Sequence, residues 1–300
     1  IWWVEESGID GIRMDTYPYS DKEYMSKWTN ALLDEYPQLN IVGECWSTTL
    51  GGGSYWQLKQ NPDGYYSSLP SITDFHTYNG IRFALNEDFG WDKGWARLYY
   101  TLAQDFLHTN PNGNLIFLDN HDINRFYSEI NEDFEKYKLG TAILLTMRGI
   151  PQWYYGTEIL STGFDNNHAD LRKDFLGGWK DDKINAFTGE GLEKNQKEAQ
   201  DFFKKIAVWR RSKGNFWKNA KLMHYLPENE VYVYFRYTDT ETVMVVLNSS
   251  KKEATLDTKH LHERLNGFSK GTEIISGKII DNLQKIQIPA RSALLIDLSK

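Results

Sequence analysis

One cysteine, Cys45, stands in 300 residues, so no disulfide closes within the chain and the redox compartment stays open. No second cysteine and no histidine cluster at ligand spacing accompany it, and nothing points to a transition-metal site. No apolar run reaches the roughly 18 residues of a membrane span. Positive charge is in deficit, with 34 Lys and Arg against 41 Asp and Glu and a net charge of −7. That balance argues against nucleic acid as a partner, because phosphate binding needs clustered cations. A polar lead-in is also missing. Ile1-Trp2-Trp3-Val4 opens in mid-amphipathic pattern without a cap, from which we expect further elements upstream, and any leader with them.

What is abundant is aromatic surface: 11 Trp and 18 Tyr, within 15% aromatic residues overall. Part of it must fill the core. An exposed remainder is suited to stacking on the C–H faces of sugar rings.

Along the chain, strand and helix patterns alternate over the first two-thirds. A helix end at 1–7 precedes a strand at 10–15 and a helix at 22–36, stopped by Pro37. A strand at 40–44 leads into a long loop over 47–66, marked by Gly51-Gly52-Gly53 and Asn61-Pro62-Asp63-Gly64. A weaker strand at 69–74 ends on Asp74 and a helix follows at 80–107. Then come a strand at 114–119, a helix at 133–147, a short strand at 150–155 and a helix at 197–212. This rhythm implies a parallel sheet. From about 219 the pattern turns all-β, with strands at 230–237, 242–247, 285–288 and 292–298, which reads as an antiparallel sandwich. The expected domains are 1–218 and 219–300. About five strand–helix units fit in the first, whereas a closed (β/α)8 barrel has eight. The fold class expected is therefore the C-terminal part of such a barrel followed by an all-β sandwich.

Three strands end on acids. Ile12 leads to Asp15, Ile41-Val42 to Glu44, and Leu115 to Leu118 leads to Asp119 and Asp122. Taken singly, an acid at a strand end is more often a cap or turn former. In order, at the C-terminal ends of parallel strands, three of them make a barrel active site. Retaining glycoside hydrolysis needs an ionised nucleophile and a protonated acid roughly 5–5.5 Å apart. Adjacent strands lie about 4.8 Å apart, so Asp15 and Glu44 can meet that spacing. Arg13 points to the same side as Asp15 and is expected to hold it ionised. Trp46 is expected to desolvate Glu44. Asp122 is suited to gripping sugar hydroxyls and stabilising positive charge at the anomeric carbon, and His121 to donating to a ring hydroxyl. Cys45, next to Glu44, is read as a small packing residue.

These stretches resemble the α-amylase superfamily of glycoside hydrolases, glycoside hydrolase family 13. The motifs are Gly11-x-Arg13-x-Asp15, Gly43-Glu44-Cys45-Trp46 and Phe117-x-x-Asn120-His121-Asp122. Gly149-Ile150-Pro151-x-x-Tyr154-Tyr155-Gly156-x-Glu158 and Asp74-Phe75 are further likenesses. The resemblance covers nearly the whole chain and is similar in detail to the neopullulanase and cyclomaltodextrinase branch. It implies Asp15 as nucleophile, Glu44 as general acid/base and Asp122 as transition-state stabiliser. It also implies Arg13 and His121 as substrate-subsite residues, and Tyr17, Trp46 and Asn120 are further substrate-binding candidates. Asp170 and Arg172 either bind the glucosyl unit at the cleavage site or form a surface pair. Thr16-Tyr17-Pro18-Tyr19 stands where many relatives carry a Lys-His pair near a calcium site, so no cofactor is expected for the chemistry. Structural Ca²⁺ is possible but unsupported by these residues. The family's Asp-x-x-x-Asn-His motif is nowhere in the chain, so the chain alone is compatible with an inactive form.

The resemblance implies an α-glucan substrate, with starch, maltooligosaccharides, cyclodextrin or pullulan as candidates, and a secreted or periplasmic setting. The alternatives are transglycosylation on the same scaffold, and non-catalytic glucan binding.

Overall fold

Short apolar runs in the order read from the sequence make a row of parallel strands. They are β1 (Gly11–Met14), β2 (Asn40–Gly43), β3 (Ser71–Ile72), β4 (Leu115–Ile116) and β5 (Ile150–Pro151). β1 pairs with β2, Ile12 opposite Ile41, and β2 pairs with β3, Gly43 opposite Ile72. A parallel bridge from Thr73 to Leu115 joins β3 to β4, and β4 pairs with β5. The computed structural model describes residues 1–57 and 61–300. The part of the expected 47–66 loop at 58–60 lies outside the described residues.

Several strands are shorter than their apolar runs. The expected strands at 69–74, 114–119 and 150–155 contribute only Ser71–Ile72, Leu115–Ile116 and Ile150–Pro151 to the ladder. Apolar runs register burial as well as pairing: Phe117 and Leu118 are buried outside the sheet. The helix expected at 80–107 is two helices, Phe75–Asn86 and Trp95–Leu102. Between them Gly94 adopts φ 59° and Gly90 bridges to Lys93. The other long helices follow their capping signals. Asp21 caps Lys22–Glu35 through the Tyr24 amide at 2.8 Å. Asp133 accepts from the Glu135 and Lys136 amides at the start of Phe134–Thr146. A reciprocal Glu193–Gln196 capping box starts Lys194–Ser212.

The chain divides into two compact units. One comprises Ile1–Gly80, Tyr100–Ile116 and Gly149–Gln152; the other comprises Ile81–Tyr99, Phe117–Arg148 and Trp153–Lys300. The parallel strands belong to the first. Its core gathers Tyr17, Met25, Leu32, Ile41, Cys45 and Ile72. Met25, Thr29 and Leu32, at helical spacing, are the buried face of Lys22–Glu35.

The second unit carries the antiparallel strands, which begin at Lys221. They are β6 (Lys221–His224), β7 (Val231–Tyr237), β8 (Thr242–Asn248), β9 (Ala254–Asp257), β10 (Lys270–Glu273), β11 (Ile279–Ile280), β12 (Lys285–Ile288) and β13 (Ser292–Ser299). One sheet runs β11-β10-β13-β8-β7-β6, and β9 pairs with β12. Alternate residues of β7 divide between two faces. Val231, Val233 and Phe235 pack with Ile286 and Ile288 of β12. Tyr232, Tyr234 and Arg236, on the opposite side, are also fully buried. Tyr234 bonds the Thr146 hydroxyl, and Arg236 donates to the Trp217 and Ala220 carbonyls at 3.0 and 2.8 Å. Helical segments therefore cover the second face here, and at β7 and β8 both faces of the sheet are dry.

Candidate active site

Asp15 and Glu44 are each the first residue after their strand, and the Met14–Gly43 register sets them level. The Glu44 amide donates to the Met14 carbonyl at 2.8 Å, extending the parallel ladder by one step. Beyond Asp15 the backbone turns sharply. Thr16 takes a left-handed conformation at φ 49°, and Tyr17–Tyr19 form a 3₁₀ turn with Pro18 near its start. Gly43 makes room for that turn: a Cβ there would meet Leu69 at 2.7 Å and the Tyr17 ring at 3.1 Å.

One guanidinium joins the two acids. Arg13 Nη1 donates to Asp15 Oδ1 at 2.6 Å and Nη2 to Glu44 Oε1 at 2.7 Å. Spanning the two terminal nitrogens of a single planar group keeps the nearest carboxylate oxygens within about 8 Å of each other. That bound admits the roughly 5–5.5 Å of a double-displacement pair. Glu44 Oε2 accepts from the Thr16 amide at 2.9 Å. The environments of the two acids differ in burial, since the Asp15 side chain is 67% exposed and that of Glu44 7%.

The sequence assigned Arg13 to Asp15 alone, whereas it bridges both acids. Trp46 was expected to desolvate Glu44. The ring instead stacks on Phe75 with centroids 4.6 Å apart and stays 45% exposed, and two donors accompany the burial of Glu44. Tyr17 is a correction: it is fully buried, its hydroxyl bonds Thr29 Oγ1 at 2.9 Å, and its ring packs edge-on to Trp56. It is placed as a packing residue that fixes the turn after Asp15, not as a substrate contact. Cys45 is buried, and burial, with Glu44 adding to it, pushes its thiol far above the ordinary range. It is not poised to be a nucleophile.

The second unit holds its own polar cluster. Asp122 Oδ1 accepts from Arg172 Nη2 at 2.8 Å, and its Oδ2 lies 3.0 Å from His121 Nε2. Arg172 Nε also donates to the His121 carbonyl at 3.1 Å. Asn120 is buried, and its Oδ1 accepts from the Asp122 amide at 2.8 Å, so it shapes the turn rather than facing a ligand. Asp170 does not join Arg172. It pairs with Lys173 at 3.0 Å and accepts from Asn167 at 2.8 Å. The two therefore do not form a surface pair with each other: Arg172 joins Asp122 and Asp170 joins Lys173.

Asp119 and Arg125 were missed as partners. Asp119 is buried, accepts from the Phe126 amide and the Thr157 hydroxyl at 2.9 Å, and lies 3.7 Å from Arg125 Nε. Burial pushes its carboxyl up to about 6, with Arg125 opposing. A buried acid demands a cation or donors, and Arg125 lies six residues on, but nothing in the spacing names which arginine answers. Among the described residues no group of three or more His, Cys, Asp or Glu is placed to hold a metal ion. None of the described helices is long and apolar enough to cross a membrane.

Parallel strands in chain order, each followed by helical segments and two of them ending level on acids, define an α/β glycosidase type of scaffold, and an all-β region follows it in the chain. A family model described as the α-amylase catalytic domain matches residues 1–249, and a cyclomaltodextrinase C-terminal domain model matches residues 222–297. The chain belongs to the α-amylase family. Alpha-amylase 2 of Dictyoglomus thermophilum is 24% identical over 295 residues, 95% of this chain and 45% of that protein. The cyclomaltodextrinase of Thermoanaerobacter pseudethanolicus is 24% identical over 262 residues, covering 85% and 40%. A crystal structure of an Anoxybacillus α-amylase superposes with a TM-score of 0.77 at 21% identity, covering 99% of this chain and 60% of that one. The chain thus spans less than half the length of these two curated relatives.

Proposed function

We propose that this protein is a retaining α-glucan hydrolase that cleaves α-1,4-glucosidic bonds of starch-type glucans, with maltooligosaccharides, cyclodextrin and pullulan as candidate substrates. The observation that carries the reading is the level pair of acids on adjacent parallel strands, one exposed and one buried, held by a single arginine. An Asp15 oxygen attacks the anomeric carbon as the bond to the leaving oxygen breaks, and Glu44 gives that oxygen its proton. Water then attacks the same carbon, Glu44 takes its proton back, and the bond to Asp15 breaks. Arg13 holds Asp15 ionised before it attacks and again when water releases it. The role of Asp122, stabilising the oxocarbenium-like state, rests on its place in the family motif; Arg172 and His121 orient it. Trp46 offers an exposed face to sugar. No step requires a cofactor or a metal.

The test is digestion of maltoheptaose, γ-cyclodextrin and pullulan with the anomer of the first product read by NMR. The expected first product is the α-anomer, and a 2-deoxy-2-fluoroglucosyl substrate should leave an adduct on Asp15. A β-anomer first, or an adduct elsewhere, overturns the mechanism. A second reading is transfer to a sugar hydroxyl. Longer products at high substrate concentration would assign it.

A further inference from the structure

The segment after Arg172 is a loop with its own small core. Phe175, Leu176 and Ile184 pack against the buried Ile159, Ala186 and Leu192. The Ala186 amide donates to the Leu176 carbonyl at 3.0 Å, and the Asn185 amide to the Glu190 carbonyl at 2.8 Å. Gly177, at φ 91°, passes so close to Asn185 that an added Cβ would stand 2.7 Å from its Oδ1 and 2.8 Å from its Cα. Asp182 accepts from the Gly177 and Trp179 amides at 2.8 and 3.1 Å, closing the turn.

On this braced turn sits Trp179. Its indole nitrogen donates to Asp174 Oδ2 at 2.9 Å, yet 66% of the residue is exposed. A large apolar ring is thus held at both ends, by its backbone and by its one polar atom, while its surface faces solvent. Ordering such a ring costs entropy and solvation that the chain itself does not recover by packing; a ligand recovers them. The surrounding charge points to a neutral ligand. Over residues 173–183 three lysines (173, 180, 183) stand against three aspartates (174, 181, 182), so neither an anion nor a cation is favoured. A flat apolar face beside hydrogen-bonding groups, without net charge, suits the face and rim hydroxyls of a pyranose. Asp174, which orients the ring, lies two residues from Arg172, at most about 7 Å of chain, and Arg172 grips Asp122.

We propose that Trp179 is a stacking platform for an outer glucosyl unit of a longer α-glucan, beyond the units held near Asp122 and Arg172. This rests on the glucan reading above. The experiment is calorimetric titration of the chain and its Trp179→Ala and Trp179→Phe variants with maltoheptaose and maltotriose. The alanine variant should weaken maltoheptaose about five- to tenfold and leave maltotriose within about twofold; the phenylalanine variant should recover most of the loss. Because the ring is exposed, both variants should keep the wild-type melting temperature. If wild type binds both sugars and Trp179→Ala leaves maltoheptaose unchanged, the platform falls and the glucan reading stands. An equal loss on both sugars also overturns it, placing the ring at the inner site. If wild type binds neither sugar, the glucan reading itself falls, and the platform with it.

Discussion

The parallel and the antiparallel sheets are built on opposite terms. β1 to β5 run two to four residues each, and β3 meets β4 through a single bridge. β7 and β8 run seven residues each and β13 eight, with β7 and β8 almost wholly buried on both faces. In the first sheet the two acids lie just past the strand ends: Asp15 is exposed, and Glu44 is satisfied by Arg13 from within β1 and by the Thr16 amide. In the second, the side chains that matter are the strands themselves. The sheet that ends on the candidate catalytic acids gives up pairing and apolar burial where those acids emerge; the sheet built of long buried strands gives up neither at β7 and β8.

Substitutions should separate these terms. The largest effect expected is from Asp15→Asn, which should lower kcat by about 10³-fold or more while leaving the melting temperature within a degree or two, because the side chain is exposed. A melting shift as large as a core substitution's would erase the contrast. Phe235→Ala, on a fully buried β7 position, should cost about 3–4 kcal/mol by urea titration, with substrate affinity of the surviving folded fraction unaltered.

The pH dependence comes next. Burial raises Asp119 to about 6 in the folded state, above the roughly 3.9 of an unfolded chain. Between those values the folded state holds a proton that the unfolded state has released. Stability should therefore fall as pH rises through about 4 to 6, by on the order of 2–3 kcal/mol. Asp119→Asn should flatten that part of the slope, and urea midpoints at pH 4.5 and 7 in the two proteins decide it. The smallest effect is expected at Gly43→Ala, whose new Cβ meets Leu69 and Tyr17. Overpacking there should cost about 1–2 kcal/mol and, by tilting the turn after Asp15, reduce kcat more than it raises KM. An unchanged kcat would show that the turn tolerates displacement.

Much of the arrangement was legible in the chain. Apolar β-formers ending on Asp15 and Glu44 located the acids, because in β1 and β2 the pairing runs to the last residue before each acid. The change to antiparallel strands showed in the valines and aromatics of 231–237 and 242–247. What the chain did not reveal depends on three-dimensional register. Arg13 reaches Glu44 only because Met14 lies opposite Gly43, a relation between residues 31 apart that no local pattern encodes. Tyr17 was misread because an aromatic two residues from an acid looks the same whether its ring turns inward or outward; here the room left by Gly43 turns it inward. Asp170 and Arg172, two residues apart, went to different partners because the short helix ending at Leu171 sends successive side chains apart.

The amide that Thr16 offers to Glu44 has an evolutionary corollary. Its donor belongs to the main chain, so every residue but proline can supply it, and drift at position 16 is filtered by backbone shape instead of by side-chain chemistry. Glycine and asparagine, at ease with positive φ, should be admitted freely among relatives. Valine and isoleucine should be rare there, because a branched β-carbon is strained at positive φ.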